Sequence, residues 1–307
     1  MSCSLCHRNA VYRRRYSGEQ FCRDCFTKSI EQLTRHTISK HKMFCPHDHI
    51  ALALSGGKDS TALLHVLNSI EQQYPKAQLS AIIIDEGIHQ YRQEAIRLAQ
   101  LSCERFKIPL YHFSFPQLFD ITIDQLAEKP QAQRRISLCS FCGILRRKAL
   151  NLAAKRINAS KLVLAHNLDD EIQSMFLRIV RGDLKSLSAL HPVLEKIPGF
   201  VQKVKPFSEI LEREIVLYAY FNDLSFQTLP CPYQSSSMRS DIRGFLNQLE
   251  YHHPGIKYST YRNFRKLISI QPQASLKTLT RCNICGEPAT NLTCRACTLL
   301  QAINSTS

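Results

Sequence analysis

The feature that most constrains this chain is an alternation. From about residue 49 to residue 180, short β-rich segments take turns with longer amphipathic ones. "HIALAL", "LSAIIID", "PLYHFSF" and "KLVLAHN" have the branched and aromatic content of strands. "STALLHVLNSIEQQY", "YRQEAIRLAQLSCERF", "GILRRKALNLAAKRI" and "LDDEIQSMFLRIV" have helical periodicity, and "FDITIDQLAE" is ambiguous. Strands separated by helices cannot pair as hairpins, so the pattern predicts an α/β fold with a mainly parallel sheet and helices on both faces. Beyond this block, "HPVLEKIPGF" reads as a linker, and "PFSEILEREIVLYAYFNDL" resumes a helix with Ser208 as its expected N-cap.

Ligands of such folds sit at the carboxyl ends of strands, and "SGGKDS" follows the first strand directly. It lacks the GxxxxGK[ST] spacing of a Walker loop and the GxGxxG of a dinucleotide fingerprint. Gly56 and Gly57 let the backbone approach a ligand closely. Amides at the start of the next helix point toward that ligand. Ser55, Ser60 and Thr61 add hydroxyls, and Lys58 adds charge. These features predict an anion site; the plainer alternative is a tight strand-to-helix turn.

Of the thirteen cysteines, eight form four CxxC pairs near the two ends. Cys3, Cys6, Cys22 and Cys25 have the spacing of a closed structural zinc site, and Cys282, Cys285, Cys294 and Cys297 that of a tighter zinc knuckle. Each site uses four thiolates, so neither has an open position for catalysis. They are expected to hold short segments that lack a core, and to present Arg8, Arg13, Arg14, Arg15, Arg281 and Arg295 on rigid loops.

The central pair Cys139 and Cys142 opens a helix followed by Arg146, Arg147 and Lys148, a setting that stabilises thiolates. A redox dithiol, a plain buried pair and a metal centre completed by a distant cysteine are all compatible with it. Cys231, fixed between two prolines in "LPCPY", is the candidate third thiol. Three cysteines suit a [4Fe–4S] cluster with one iron left without a protein ligand. Cys45 and Cys103 read as ordinary core or near-core thiols.

The formal charge is +15, falling to about +11 once two tetrathiolate zinc sites are counted. Such a balance favours a polyanionic partner. The charge is also one-sided. Between Glu128 and Asp169 there is no acid but nine basic residues: Lys129, Arg134, Arg135, Arg146, Arg147, Lys148, Lys155, Arg156 and Lys161. From Tyr251 to Arg281, Lys257, Arg262, Arg265 and Lys266 interleave with Tyr258, Tyr261 and Phe264. Phosphate-backbone contact and plain solvation are the two readings. No run of about 18 apolar residues marks a membrane span, and the start has cysteines and arginines where a secretion signal is apolar. The expectation is a soluble cytoplasmic protein.

SGGxDS resembles the PP-loop of the ATP pyrophosphatase superfamily (adenine nucleotide alpha hydrolase-like fold). The order of terminal CxxC pairs, "SGGKDS", "DEGI", "CSFCGILRRKAL", "AHNLDDE", "VKPF", "CPY" and "CRACTLLQAIN" resembles the tRNA 2-thiolation enzymes of the TtuA and cytosolic wobble-uridine thiolase group. "CGILRRKAL" and "ACTLLQAIN" are more similar to the wobble-uridine branch than to the thermophile T-loop branch. Ala165 and Gln90 stand where that group usually has glycine.

The resemblance implies four parts: a zinc finger and basic helix (1–45), a PP-loop catalytic domain (46–230), a helical, basic tRNA-binding extension (231–280) and a C-terminal zinc knuckle (281–307). It implies that Ser55, Gly56, Gly57, Lys58, Asp59 and Ser60 hold ATP, with Asp59, Asp169 and Asp170 placing Mg²⁺ and Asp85 and Glu86 near the nucleotide. His166 and Asp170 would position the uridine or move its proton. Sulfur would reach C2 through a [4Fe–4S] cluster on Cys139, Cys142 and Cys231, or through a persulfide on the same cysteines. A ubiquitin-like sulfur-carrier protein and a homodimer or heterodimer with a paralogue are the implied partners. T-loop uridine or tRNA cytidine 2-thiolation, and a noncatalytic tRNA-binding scaffold, are the alternatives.

Overall fold

The computed structural model describes residues 1–71, 76–129, 136–183, 187, 190–234, 237–270 and 279–304. Nine strands are described: β1 (Tyr12–Arg13), β2 (Gln20–Phe21), β3 (His49–Ala53), β4 (Gln78–Asp85), β5 (Leu110–Ser114), β6 (Lys161–Val163), β7 (Gln202–Val204), β8 (Thr280–Arg281) and β9 (Pro288–Ala289). The helices are α1 (Arg23–Lys40), α2 (Lys58–Glu71), α3 (Tyr91–Phe106), α4 (Phe115–Phe119), α5 (Ile123–Glu128), α6 (Leu138–Arg156), α7 (Leu168–Val180), α8 (Glu212–Phe221), α9 (Met238–His252), α10 (Ile256–Ile270) and α11 (Arg295–Asn304).

Five strands form one parallel sheet in the order β5-β4-β3-β6-β7. β4 carries a nearly unbroken apolar run, as a strand covered on both faces should. One face packs on α2 and α8 through Leu63, Val66, Ile215 and Tyr218, the other on α6 through Phe141, Leu145 and Ala149. The chain leaves β3 toward β4 on one side, and β6 lies on the other. Strand order therefore reverses between β3 and β6, opening a crevice at their carboxyl ends. The ambiguous segment "FDITIDQLAE" contributes the last residue of α4 and all of α5. α5 is started by a capping box between Thr122 and Gln125.

Four expectations need correction. Ser208 is not an N-cap: α8 starts at Glu212, because residues 205–210 first turn to bury Phe207 and Ile210. Cys45 is exposed, since the turn that Asp48 ties to its backbone N–H carries it outside the core; Cys103 is buried as expected. Arg14 is not presented to solvent but ion-paired with the fully buried Glu214 at 2.8 Å. The tail does not stand apart either: Ala296, Leu299 and Ile303 of α11 join the core formed by α6.

The Arg14–Glu214 pair fastens the N-terminal module to α8, with Tyr12 and Tyr16 also donating to Glu214. Glu214→Ala would leave Arg14 buried without its partner. The expected loss is about 3–5 kcal/mol, measured as a lower urea midpoint with an unchanged slope.

Candidate active site

The loop after β3 is built around two different glycines. Gly56 sits at φ +83°, and an added Cβ would lie 2.7 Å from the Ala95 carbonyl oxygen of α3. Gly57 would meet only the Ser55 hydroxyl, at 3.4 Å, so its side of the loop is open. Ser60 is a brace: its Oγ accepts from Ser55 N–H and donates to the Gly57 carbonyl. Ser60 and Thr61 are both buried, so the open hydroxyl expected of each is not found; Ser55 is more accessible. Lys58 Nζ bridges Asp59 (2.9 Å) and Glu212 (2.8 Å).

"HNLDD" reaches the same crevice from β6. Asn167 caps α7 in a reciprocal box with Asp170, and its Nδ2 donates to Asp59 Oδ1 at 3.0 Å, which ties the two loops together. Burial, against the Asn167 N–H that pulls the other way, raises the Asp170 carboxyl to about 6, with Asp59 and Glu212 adding negative charge. His166 opens on the cleft. Dense surrounding protein first, and then Lys205, Arg239, Arg147 and Lys203, lower its pKa to about 3, so it is neutral. Asp169 does not face the loop as expected: it is buried, paired with Lys257, and accepts the Glu212 N–H. Adjacent helix positions point about 100° apart, so only one of the two aspartates can face the crevice.

A cavity of about 250 Å³ adjoins the loop, lined by Ser55, Gly57, Ile84, Glu86, Tyr91, Arg92, Arg146, Gln227 and Leu229 among others. Asp85 ends β4 beside it and accepts the Gly87 N–H. Gln227, which the sequence reading missed, closes the cavity by donating to the carbonyls of Gly56 (2.9 Å) and Tyr91 (2.6 Å). Arg92 was also missed; its place in the apolar register of the helix, three and seven residues before Ala95 and Ala99, was the available signal.

Across the Glu86–Arg146 wall lie the central cysteines. Cys139 Sγ donates to the Tyr233 carbonyl at 3.3 Å, and Arg146 Nη2 donates to Cys142 Sγ at 3.3 Å. Cys231 packs into the same apolar cluster as Cys142 and Tyr233. Burial pushes the Cys142 thiol up to about 11 against the pull of Arg146.

The terminal thiols fit zinc. A tetrahedron with Zn–S of about 2.3 Å places its sulfurs about 3.8 Å apart; Cys6–Cys22 and Cys285–Cys294 stand at 3.6 and 3.8 Å. All four sulfurs of each set lie within 4.8 Å of one another. Among the described residues only these two sets close to single-ion spacing. Cys139, Cys142 and Cys231 are not such a set, and an all-thiol donor set suits iron–sulfur chemistry.

Much of the basic run before Asp169 is answered by partners that the fold brings in. Arg146 pairs with Glu86, Lys155 with Glu287, and Lys161 with Gln202, while Lys148 donates to Cys285, Cys294 and Cys297. Arg134 and Arg135 lie outside the described residues. In the second run Lys257 is buried, but Arg262 and Lys266 stay exposed beside Tyr258 and Tyr261, in a concavity of about 450 Å³ that Lys40 also lines.

A parallel sheet with an SGGKDS loop at its switch point defines a PP-loop protein. A family model described as a PP-loop domain matches residues 26–250, and one described as the N-terminal LIM domain of the 2-thiouridine synthetase TtuA matches residues 2–27. The cytoplasmic tRNA 2-thiolation protein 1 of Laccaria bicolor is 32% identical over 98% of this chain and 85% of its own. A probable sulfurtransferase of Methanocaldococcus jannaschii is 32% identical over 98% and 87%. Among solved structures, the U34-tRNA thiolase NcsA from Methanococcus maripaludis with its [4Fe-4S] cluster superposes with a TM-score of 0.86 and 32% identity, covering 98% of this chain and 96% of that one. The chain belongs to the PP-loop family, in the branch of the cytoplasmic tRNA 2-thiolation protein 1 relatives. Among the described residues no helix is long and apolar enough to cross a membrane.

Proposed function

We propose that this chain is an ATP-dependent tRNA uridine 2-sulfurtransferase of the cytoplasm, acting at the wobble position. The observation that carries the reading is one cavity: its walls include the Ser55–Gly57 loop on one side and, on the other, Arg146, which donates to Cys142. Activation and sulfur delivery thus share a wall.

Replacing the C2 oxygen of uridine by sulfur requires a better leaving group than oxide. Loss of the N3 proton makes that oxygen nucleophilic, and it attacks the α-phosphorus of ATP, releasing pyrophosphate. Neutral His166 borders the crevice and serves as the group that positions the uridine and accepts its proton. The open face of Gly57 and the first amides of α2 receive the phosphates. Asp59 and Asp170 would hold Mg²⁺, which would offset phosphate charge together with Lys58, and Asp85 adjoins the ribose side. Attack of sulfur on C2 then expels AMP with the original oxygen.

Cys139, Cys142 and Cys231 would hold the [4Fe–4S] cluster, which when bound would offer a sulfur species one iron without a protein ligand. Arg146 keeps a cation beside Cys142 throughout. Zn²⁺ would fill the two terminal sites. Arg262, Lys266 and Lys40, with the tyrosines beside them, fit the tRNA backbone. In this reading the chain divides at 1–45, 46–230, 231–280 and 281–307, with Cys231 at the start of the third part reaching back to the cluster site, and a ubiquitin-like sulfur carrier and a second copy or a paralogue as protein partners.

The direct test uses purified protein reconstituted without oxygen and supplied with unthiolated tRNA, ATP and a sulfide source. New 2-thiouridine with matching AMP and pyrophosphate is expected; pyrophosphate release without thionucleoside would leave only an adenylating enzyme. A pH dependence follows from Asp170. Below about 6 its carboxyl is protonated and cannot ligate a cation, so Mg²⁺-dependent nucleotide affinity falls as pH drops through that value. Asp170→Asn is expected to be weak at all pH values and to lack this limb in a titration from pH 5 to 8.

A further inference from the structure

The wall between the cavity and the cysteines is a chain of charges. Arg92, buried on α3, donates through Nη1 to the Ser55 carbonyl (3.0 Å) and through Nη2 to the Ile84 carbonyl (2.7 Å). Its Nε lies 2.7 Å from Glu86 Oε2, an ion contact and not an aligned hydrogen bond, since neither atom has a hydrogen-bond partner among the described residues. Glu86 is 2% exposed, and its other oxygen is 2.6 Å from Arg146 Nε. Arg146 in turn reaches Cys142 Sγ.

One buried carboxylate thus holds two guanidiniums, one tied to the nucleotide loop and one to a cysteine sulfur. Arg92 is also anchored by two backbone carbonyls, whereas the half-exposed Arg146 side chain is held at Glu86 and Cys142. The carboxylate is desolvated and depends on both partners, so displacing either one costs free energy. Four members of the chain, Ser55, Arg92, Glu86 and Arg146, also line the cavity.

We propose that Glu86 is a positioning residue that couples the two halves of the site: a nucleotide at the Ser55 loop shifts the Arg92–Glu86–Arg146 chain and so changes the hydrogen bond to Cys142. The inference rests on the reading of the cavity as a nucleotide site and the cysteines as a cluster site. Linkage makes the effect reciprocal, so the state of the cysteines must alter nucleotide affinity by the same factor. Arginine suits both positions because its planar fork spans several acceptors, which a lysine ammonium cannot do in this geometry.

The experiment measures, anaerobically, the Kd of a non-hydrolysable ATP analogue for cluster-loaded and cluster-free protein, and records the EPR spectrum of the reduced cluster with and without the analogue. For the unmodified chain the two Kd values should differ by at least about five-fold, and saturating analogue should shift the spectrum. Glu86→Gln keeps the side-chain shape but not the charge. It should still bind iron and analogue, with the Kd ratio near one and the spectrum unmoved. Arg92→Lys should behave the same way, and it replaces Glu86→Gln if that variant fails to fold. A ratio near one and an unmoved spectrum in the unmodified chain would overturn the proposal, as would a ratio retained in a folded variant. Absence of analogue binding to either form would instead overturn the nucleotide reading, and the coupling with it.

Discussion

Cys231→Ala abolishes thiolation, by at least about 10³-fold, while tRNA affinity stays within about two-fold (about 0.4 kcal/mol). The asymmetry follows from position. Cys231 packs beside Cys142 and Tyr233 in the cluster formed with α6, whereas Arg262 and Lys266 belong to α10. Iron per chain should fall with activity, because only two protein thiols remain for a cluster that needs three. Normal thiolation by the variant would remove Cys231 from the mechanism. Loss of tRNA binding in parallel would mean that the segment around Cys231 shapes the tRNA surface instead.

Gly56→Ala is expected to have the next largest effect. The residue sits at φ +83°, where an L side chain costs about 1–2 kcal/mol. The new Cβ would also meet Ala95 Cα at 2.9 Å besides its carbonyl oxygen. Ala95 is a fully buried part of α3, so the loop and not the helix must yield. Moving the loop breaks the bond from Gln227 N–H to the Gly56 carbonyl and swings the amides away from the phosphate position. Nucleotide affinity should drop by at least about 100-fold, near 2.7 kcal/mol, with a lower Tm.

Gly57→Ala is the informative contrast. Its Cβ meets only a hydroxyl, so Tm should stay nearly unchanged while the side chain intrudes on the ligand's space. Calorimetry and nucleotide titration of the pair separate a loop that is merely folded from one that is folded around a ligand. Equal effects of the two substitutions on both quantities would contradict the assignment of Gly57 as the open face.

The sequence carried the parts of this molecule that rest on local pattern. Strand and helix alternation, the loop after the first strand and the four terminal CxxC pairs depend on spacing along the chain, and each stands where that spacing put it. What it could not carry are pairings made across the fold. Asp169 and Asp170 look alike in "LDDE", yet one is buried against Lys257 and the other faces the crevice, a choice made by α10 some 90 residues away. Arg14 reads as an exposed basic residue until Glu214 is brought to it. Lys148 reads as part of an RNA-binding run until the C-terminal cysteines fold onto α6. Gln227 gave no signal at all, because its function depends on two carbonyls from distant segments. Ser208 illustrates the opposite error: a good N-cap residue was overruled by the burial of Phe207 and Ile210.

The most direct test of the central claim is the set of thionucleosides in tRNA from a strain lacking this chain, compared with its complemented parent, by mass spectrometry with the modified position mapped. The account predicts that 2-thiouridine at the wobble position disappears and returns on complementation, and that a Cys231→Ala copy does not restore it. Persistence of every thionucleoside in the deletion strain, with no redundant enzyme present, would contradict it. Loss confined to the T-loop or to 2-thiocytidine would contradict the assigned position while leaving the chemistry in place.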